Sequence, residues 1–438
     1  MLQLLNRLRE EMYRGHHKLD TYSCLAHNDQ AANQQQAVSP SFTPSSFNPA
    51  KRFRFRNGGS SSSCEQDQIK EAVSSLDIAI RDTSELVVFL SRCPPLYQQP
   101  YCMYLLLNKC MFGRQMEMEQ IMNFLLHEEA CSAEYPAVLP IFGPGKVGKT
   151  TMIDHACNDD RVRNRFSKIL CVSQDSIKDE KRIATLSDCD VIKHHNHTIQ
   201  EERMLVIIEL TGEIDEGTWR ELYSDCKHHL ASGSKIIVAS RSETIARLGT
   251  TQALRVQFFA QKAYWYFFKV RTFGSTKTED HPKLASIAME IAREMRGCFF
   301  SAHVYSRLLK ANFNAHFWSM ALAIIKEFKQ MNLFLFGSQF VDPWQVVEPV
   351  YIKKKSSEYL VIIDDYQTGS AQNPAQSGHP ILSIQDLLFG TVRPQGKFKV
   401  LAWRSHLPPY YSYMLNCEVW RPQQGMASRK KRVQKIVS

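Results

Sequence analysis

Apolar positions along the chain change their period several times, and each change marks a change of element. Between Leu2 and Tyr22 they fit a short helix. From about Asn28 to Asp67 the chain is rich in Gln, Ser, Asn and Pro, with Ser60-Ser61-Ser62-Ser63 near its end. Such a stretch buries too little apolar surface to fold alone, so it reads as a disordered linker. Beyond it Ile69, Ala72, Val73, Leu76, Ile78, Ala79 and Ile80 recur near helical spacing, and Leu86 to Leu90 extends that face. A further helix follows Pro100, with Gly113 to Glu119 leading into Ile121 to Leu126. Short, almost continuous apolar runs then take over: Ala137 to Phe142, Ser167 to Ser173, Met204 to Leu210 and Ser234 to Arg241. Runs of this kind are strands covered on both faces. From about His281 the period is helical again, with Leu284, Ile287, Ala288, Ile291, Ala292 and Met295 on one stripe, continued by Leu308-Leu309 and Trp318 to Ile325. From Ser338 to Ser438 the pattern is strand-like and loop-rich.

Strands alternating with helices predict an α/β fold with a parallel sheet flanked by helices. The expected division is a helical segment at 1–27, a linker at 28–67, a helical region at 68–130, the α/β domain at 131–275, a helical subdomain at 276–335 and a mixed strand and loop region with a basic tail at 336–438.

The first strand runs into Gly143-Pro144-Gly145-Lys146-Val147-Gly148-Lys149-Thr150, which fits the phosphate-binding pattern G-x-x-x-x-G-K-[ST] between a strand and a helix. Glycines let successive backbone N–H groups turn around a β-phosphate, and the helix offers its positive N-terminus to the same anion. Lys149 is expected to neutralise the β- and γ-phosphates, and Thr150 to place its hydroxyl on Mg²⁺. The expected nucleotide-binding set is Gly143, Gly145, Val147, Gly148, Lys149, Thr150 and Thr151.

Composition trims the alternatives. No apolar run reaches the length needed to span a bilayer, and the amphipathic start, Met1 to Arg9, is unlike a signal peptide. The twelve cysteines contain no C-x-x-C pair, which argues for reduced thiols and against a zinc site. A cytoplasmic protein is expected. The net charge of +10 is concentrated in short clusters. Arg429 to Lys435 resembles a nuclear import signal, which leaves a nuclear location open, and Lys51 to Arg56 interleaves basic and aromatic residues. Both read better as solvated tracts, and nucleic-acid binding is not expected. Lys193-His194-His195-Asn196-His197 reads as a solvated loop, because adjacent histidines diverge and lack a fourth ligand.

Taken in order, these motifs resemble the NB-ARC family, the nucleotide-binding switch module of plant disease-resistance proteins of the coiled-coil, nucleotide-binding, leucine-rich-repeat type. The resemblance covers roughly Phe112 to Trp318. Met111 to Arg114 looks like the segment that in the family lies against the adenine, Gly143 to Thr151 is the phosphate loop, and Phe166 to Gln174 resembles the next strand. Gly233 to Ser242 is similar to the arginine sensor motif, which implies that Arg241 meets the terminal phosphate. Glu11 to Thr21 looks like part of the Rx-type coiled-coil domain, reduced to a remnant.

Departures from the family bear on chemistry. Two adjacent carboxylates end the family's acidic strand, one for the Mg²⁺ water shell and one for the attacking water. Here Glu209 and Leu210 stand there. Glu209 still reaches a metal, so Thr150 and Glu209 are the expected metal pair, but leucine orients no nucleophile. The family's proline-bearing motif reads Gly297 to Ala302 without the proline, and neither the Met-His-Asp motif nor a leucine-rich repeat is found. Val361 to Asp365 is read as a strand end with solvated acids.

The resemblance implies a truncated switch protein in plant defence. It would bind ADP or ATP with Mg²⁺, act through protein contacts and be at most a weak ATPase. The alternative is an interaction module or regulator of full-length resistance proteins whose phosphate loop is a relic. Arg114 stays open between a ligand contact and a helix cap.

Overall fold

Five strands pair in parallel, and the four longer ones present hydrophobic side chains to both faces. In the computed structural model they are β1 (Ala137–Phe142), β2 (Lys168–Ser173), β4 (Met204–Leu210), β5 (Lys235–Ser240) and the short β6 (Leu254–Arg255). The two-residue β3 (Val191–Ile192) joins the edge antiparallel to β2, giving the order β3-β2-β4-β5-β1-β6. The structure describes residues 2–36, 61–84, 88, 111–127, 136–174, 191–192, 203–336, 350–353, 359–368, 381–388, 392, 394–405, 407, 410 and 412–420.

Alternation along the strands divides the core between two faces. Leu139, Ile141, Leu205, Ile207 and Ile237 pack on one side with the helices α3 (Gln115–Leu126), α4 (Lys149–Cys157) and α5 (Asp160–Arg165). Val138, Phe142, Val206, Ile208 and Val238 pack on the other with α6 (Glu216–His229) and a 3-10 turn at Glu243–Leu248. Asp159 and Asp215 cap α5 and α6 by accepting from Arg161 N and Thr218 N. The carboxyl ends of β1, β5 and β4 are neighbours, the end of an open α/β sheet at which ligands bind.

Sheet and helix elements divide into two units. One comprises residues 108–258, 298–304 and 324–438, and so contains the parallel sheet together with a second sheet. The strand-like region beyond Ser338 is that second sheet, built from β7 (Val350–Lys353), β8 (Tyr359–Thr368), β9 (Ile381–Ser383), β10 (Lys397–Arg404) and β11 (Ser412–Trp420). Its order is β7-β8-β11-β10-β9, antiparallel except between β9 and β10. Asp364 and Asp365 lie inside β8, not at its end, because β8 continues to pair with β11 through Thr368. Asp364 is exposed, as expected of a solvated acid, and accepts from Asn416 Nδ2.

The other unit comprises residues 1–107, 259–297 and 305–323. In it α1 (Leu2–Gln36) packs on α2 (Ser61–Asp82), α7 (Gln261–Phe273) and α8 (Pro282–Glu294). Two further helices, α9 (Phe299–Ala311) and α10 (Ala315–Phe336), have residues in both units. The first helix therefore runs past Tyr22 and through Asn28, where the linker was expected to begin, and α2 starts at Ser61. Ala and Gln favour helix, and extending a formed helix fixes few new angles for each bond gained. Residues 37–60, with the Lys51–Arg56 cluster, lie outside the described residues, as do the 193–197 histidines and the basic cluster at 429–435. No described helix is long and apolar enough to cross a membrane.

Candidate functional site

The turn after β1 is fixed before any ligand is considered. Gly143 N donates to Ser240 O at 3.3 Å, and Val256 N donates to Phe142 O at 2.8 Å. These bonds bring the Val256 carbonyl so close that a Cβ on Gly143 would sit 2.0 Å from its oxygen. Lys146 and Gly148 have φ of +58° and +99°, with Val147 between them. Alternation of this kind turns successive N–H groups to one side and makes an anion-binding nest. The Val147 side chain is buried in the core beside Ile141 and Met152, so it anchors the loop while its backbone faces the turn. The left-handed backbone costs an L-residue such as Lys146 roughly 1–2 kcal/mol.

Lys149 begins α4, and its ammonium donates to Gly143 O at 2.7 Å and Pro144 O at 2.8 Å. Burial lowers its pKa from 10.5 to about 8; the charge of Arg241 adds to that shift and Glu209 opposes it. Arg241 follows β5 and is exposed, at the carboxyl end beside the loop. Thr150 Oγ1 donates to Glu209 Oε1 at 2.8 Å, so hydroxyl and carboxylate meet across α4 and β4. Leu210 packs into the opposite core with Val206 and Ile208. Thr151 continues α4 and is half-buried.

Arg114 has a visible task besides the two roles left open for it. Its guanidinium is buried, pairs with Glu117 at 2.8 Å and donates to Val147 O at 3.3 Å and Gln257 O at 2.6 Å. It accordingly ties α3 to the phosphate loop and to the segment after β6. Its side chain makes no cap hydrogen bond to the α3 backbone.

Three residues at the site escaped the motif search. Asp154 lies one turn beyond Thr150, on the same helix face, and that spacing was a legible signal. Burial, then the charge of Glu209, raises its carboxyl from 3.8 to about 7. Gln174 follows β2 and accepts from Thr211 Oγ1 at 2.9 Å and Gly212 N at 2.8 Å, which holds the loop after Glu209. Lys146 is the third; nothing in its spacing announces a special conformation.

The arrangement offers inward N–H groups, a half-buried ammonium, and a hydroxyl and carboxylate in contact, the donor set of a phosphate and a hard divalent cation. Comparison with known proteins agrees with it: residues 114–278 match the NB-ARC domain, a nucleotide-binding switch module. Disease resistance protein RGA2 of Solanum bulbocastanum is 30% identical over 215 residues, covering 45% of this chain and 22% of that protein. Putative disease resistance protein RGA1 of the same plant is 29% identical over the same span and coverage. Disease resistance protein RPS5 of Arabidopsis thaliana is 22% identical over 235 residues, covering 49% of this chain and 25% of that protein. The chain thus spans about a quarter or less of the length of these relatives, over their NB-ARC region. Among solved structures, Drosophila ORC bound to DNA aligns at 12% identity over 72% of this chain and 77% of that one, with a TM-score of 0.34, too low to add to the sheet order.

Proposed function

We propose that the NB-ARC domain at residues 114–278 holds ADP or ATP with Mg²⁺ and works as a switch in plant defence, read out by protein contacts and with hydrolysis weak or absent. The observation that carries this reading is the 2.8 Å contact between Thr150 and Glu209, beside a half-buried Lys149. A loop that had lost its ligand would be under no pressure to keep a strained lysine, a half-buried ammonium and a hydroxyl-carboxylate pair together.

The residues present fit the group. Backbone N–H groups between Gly145 and Thr151 would surround the β-phosphate, Lys149 would offset charge on the β- and γ-phosphates, and Thr150 with Glu209 would hold the cation. Arg241, exposed just after β5, would meet the terminal phosphate. Arg114, through Val147 O, keeps the loop in place. The cation would supply charge neutralisation along the phosphates. Leu210 has no lone pair with which to orient water, which is the reason for weak hydrolysis. A nucleotide that prefers one arrangement of the protein then shifts the population toward it.

The deciding experiment is to denature the purified protein and quantify the nucleotide released, alongside Lys149→Ala. Near-stoichiometric adenine nucleotide from the wild type and none from the variant is the expected result. None from either, with no thermal shift in millimolar Mg-ADP or Mg-ATP, would overturn the reading and leave an interaction module.

A further inference from the structure

Two aromatic rings from distant segments hold the strained lysine of the phosphate loop. Lys146 has φ +58°, a conformation that a residue with a side chain keeps only when its surroundings over-determine it. Its ammonium lies 5.8 Å from the Phe300 ring centroid and 5.6 Å from that of Tyr413, and the two rings are 4.8 Å apart. Distances of this order are those of cation–π attraction, which strengthens as water is excluded. Both rings are buried. Phe300 stands in the first turn of α9, and Tyr413 belongs to β11, the central strand of the second sheet, where it pairs with Trp403 on one side and Gln367 on the other. All three residues belong to one unit.

The geometry points to Phe300 and Tyr413 as positioning residues for the nucleotide: by gripping Lys146 they hold the phosphate loop in its anion-accepting turn and couple the C-terminal sheet to the bound phosphate. This rests on the nucleotide reading of residues 143–151. A freed Lys146 side chain would let the backbone relax to negative φ, which turns its N–H away from the nest. The grip therefore supports phosphate binding without touching phosphate. Coupling is reciprocal, so a bound phosphate must stabilise the grip on β11 by the same factor. The second sheet would thus be the element that reads the loop.

The test measures affinity and release of a fluorescent N-methylanthraniloyl-ADP with Mg²⁺ on the full chain. Tyr413→Leu is expected to weaken binding about tenfold and to speed release, and Lys146→Met, which keeps the stem and removes the charge, to do the same. Adding Lys146→Gly to Tyr413→Leu should recover most of the loss, because glycine adopts positive φ without strain. Mere support of the fold by Tyr413 would give no such recovery. Where Tyr413→Leu does not fold, the single variants decide: both lack the charge, and the grip requires Lys146→Gly to bind more tightly than Lys146→Met. Unchanged binding in Tyr413→Leu and Lys146→Met, or a loss that glycine does not recover, overturns the grip and leaves Lys149-dependent nucleotide binding standing. A wild type that binds no nucleotide overturns both.

Discussion

Single residues at the loop are constrained by different forces, and substitutions separate them. Gly143 is constrained by space, since a Cβ would lie 2.0 Å from the Val256 carbonyl oxygen. Backbone must move to admit it. Gly143→Ala is expected to lower stability by about 3 kcal/mol, the upper end of overpacking costs, as read by urea unfolding; an unchanged midpoint would refute the close approach. Asp154 is constrained by charge. Folding raises its carboxyl from 3.8 to about 7, so between those values the folded chain binds more protons than the unfolded one. Its contribution to stability therefore falls as pH rises through that window and is flat above it. Asp154→Asn, which imitates the neutral acid, should match the wild type near pH 4 without nucleotide and exceed it near pH 8. A stability difference that does not change with pH would show that burial leaves this carboxyl unperturbed. The motif pattern gave the sequence reading Lys149, Thr150 and Glu209, but Lys146, Asp154 and Gln174 owe their roles to neighbours that the chain brings from elsewhere.

Among the elements, α1 has the strongest reason to stay docked. Asp20, buried on its inner face, accepts from Trp265 Nε1 at 2.8 Å and from Lys269 Nζ at 2.6 Å, both on α7. Removing one member of a buried pair leaves the other uncompensated, at a cost of about 3–5 kcal/mol, whereas replacing both by apolar groups is often neutral. Asp20→Ala should therefore lower the unfolding midpoint by several degrees, and Asp20→Leu with Lys269→Leu should recover much of it. Equal midpoints for wild type and Asp20→Ala would reduce the contact to a surface pair. Legibility followed period. Strands β1, β2, β4 and β5 could be read because parallel strands are apolar on both faces, and α8 because Leu284, Ala288, Ile291 and Ala292 form one buried stripe. In α7 every residue from Ala263 to Phe268 is buried, so no stripe exists to be read. Strand β8 carries Asp364 and Asp365 midway, and its pairing with β11 skips Ile363; both features break the alternation that announces a strand. The grip of Tyr413 on Lys146 joins residues far apart in the chain, and local pattern carries no trace of it.

For the whole molecule the difficulty is charge. A chain with a formal charge of +10 attracts any polyanion, and screening its self-repulsion stabilises it with no site involved. Nucleotide-induced stabilisation is thus ambiguous until field and site are separated. Lys149→Ala does so, because it removes one of the 54 lysines and arginines and takes the net charge only from +10 to +9. The global field is nearly unchanged while the loop loses the ammonium that bridges Gly143 and Pro144. A one-site ligand at a hundred times its Kd adds about 2.7 kcal/mol to the folded state. Mg-ADP at that excess should raise the wild-type midpoint by several degrees and leave Lys149→Ala where it was. Adenosine, with no phosphate for the nest, should move neither. If Mg-ADP raised both proteins equally, the stabilisation would belong to the charge of the chain and not to the loop after β1.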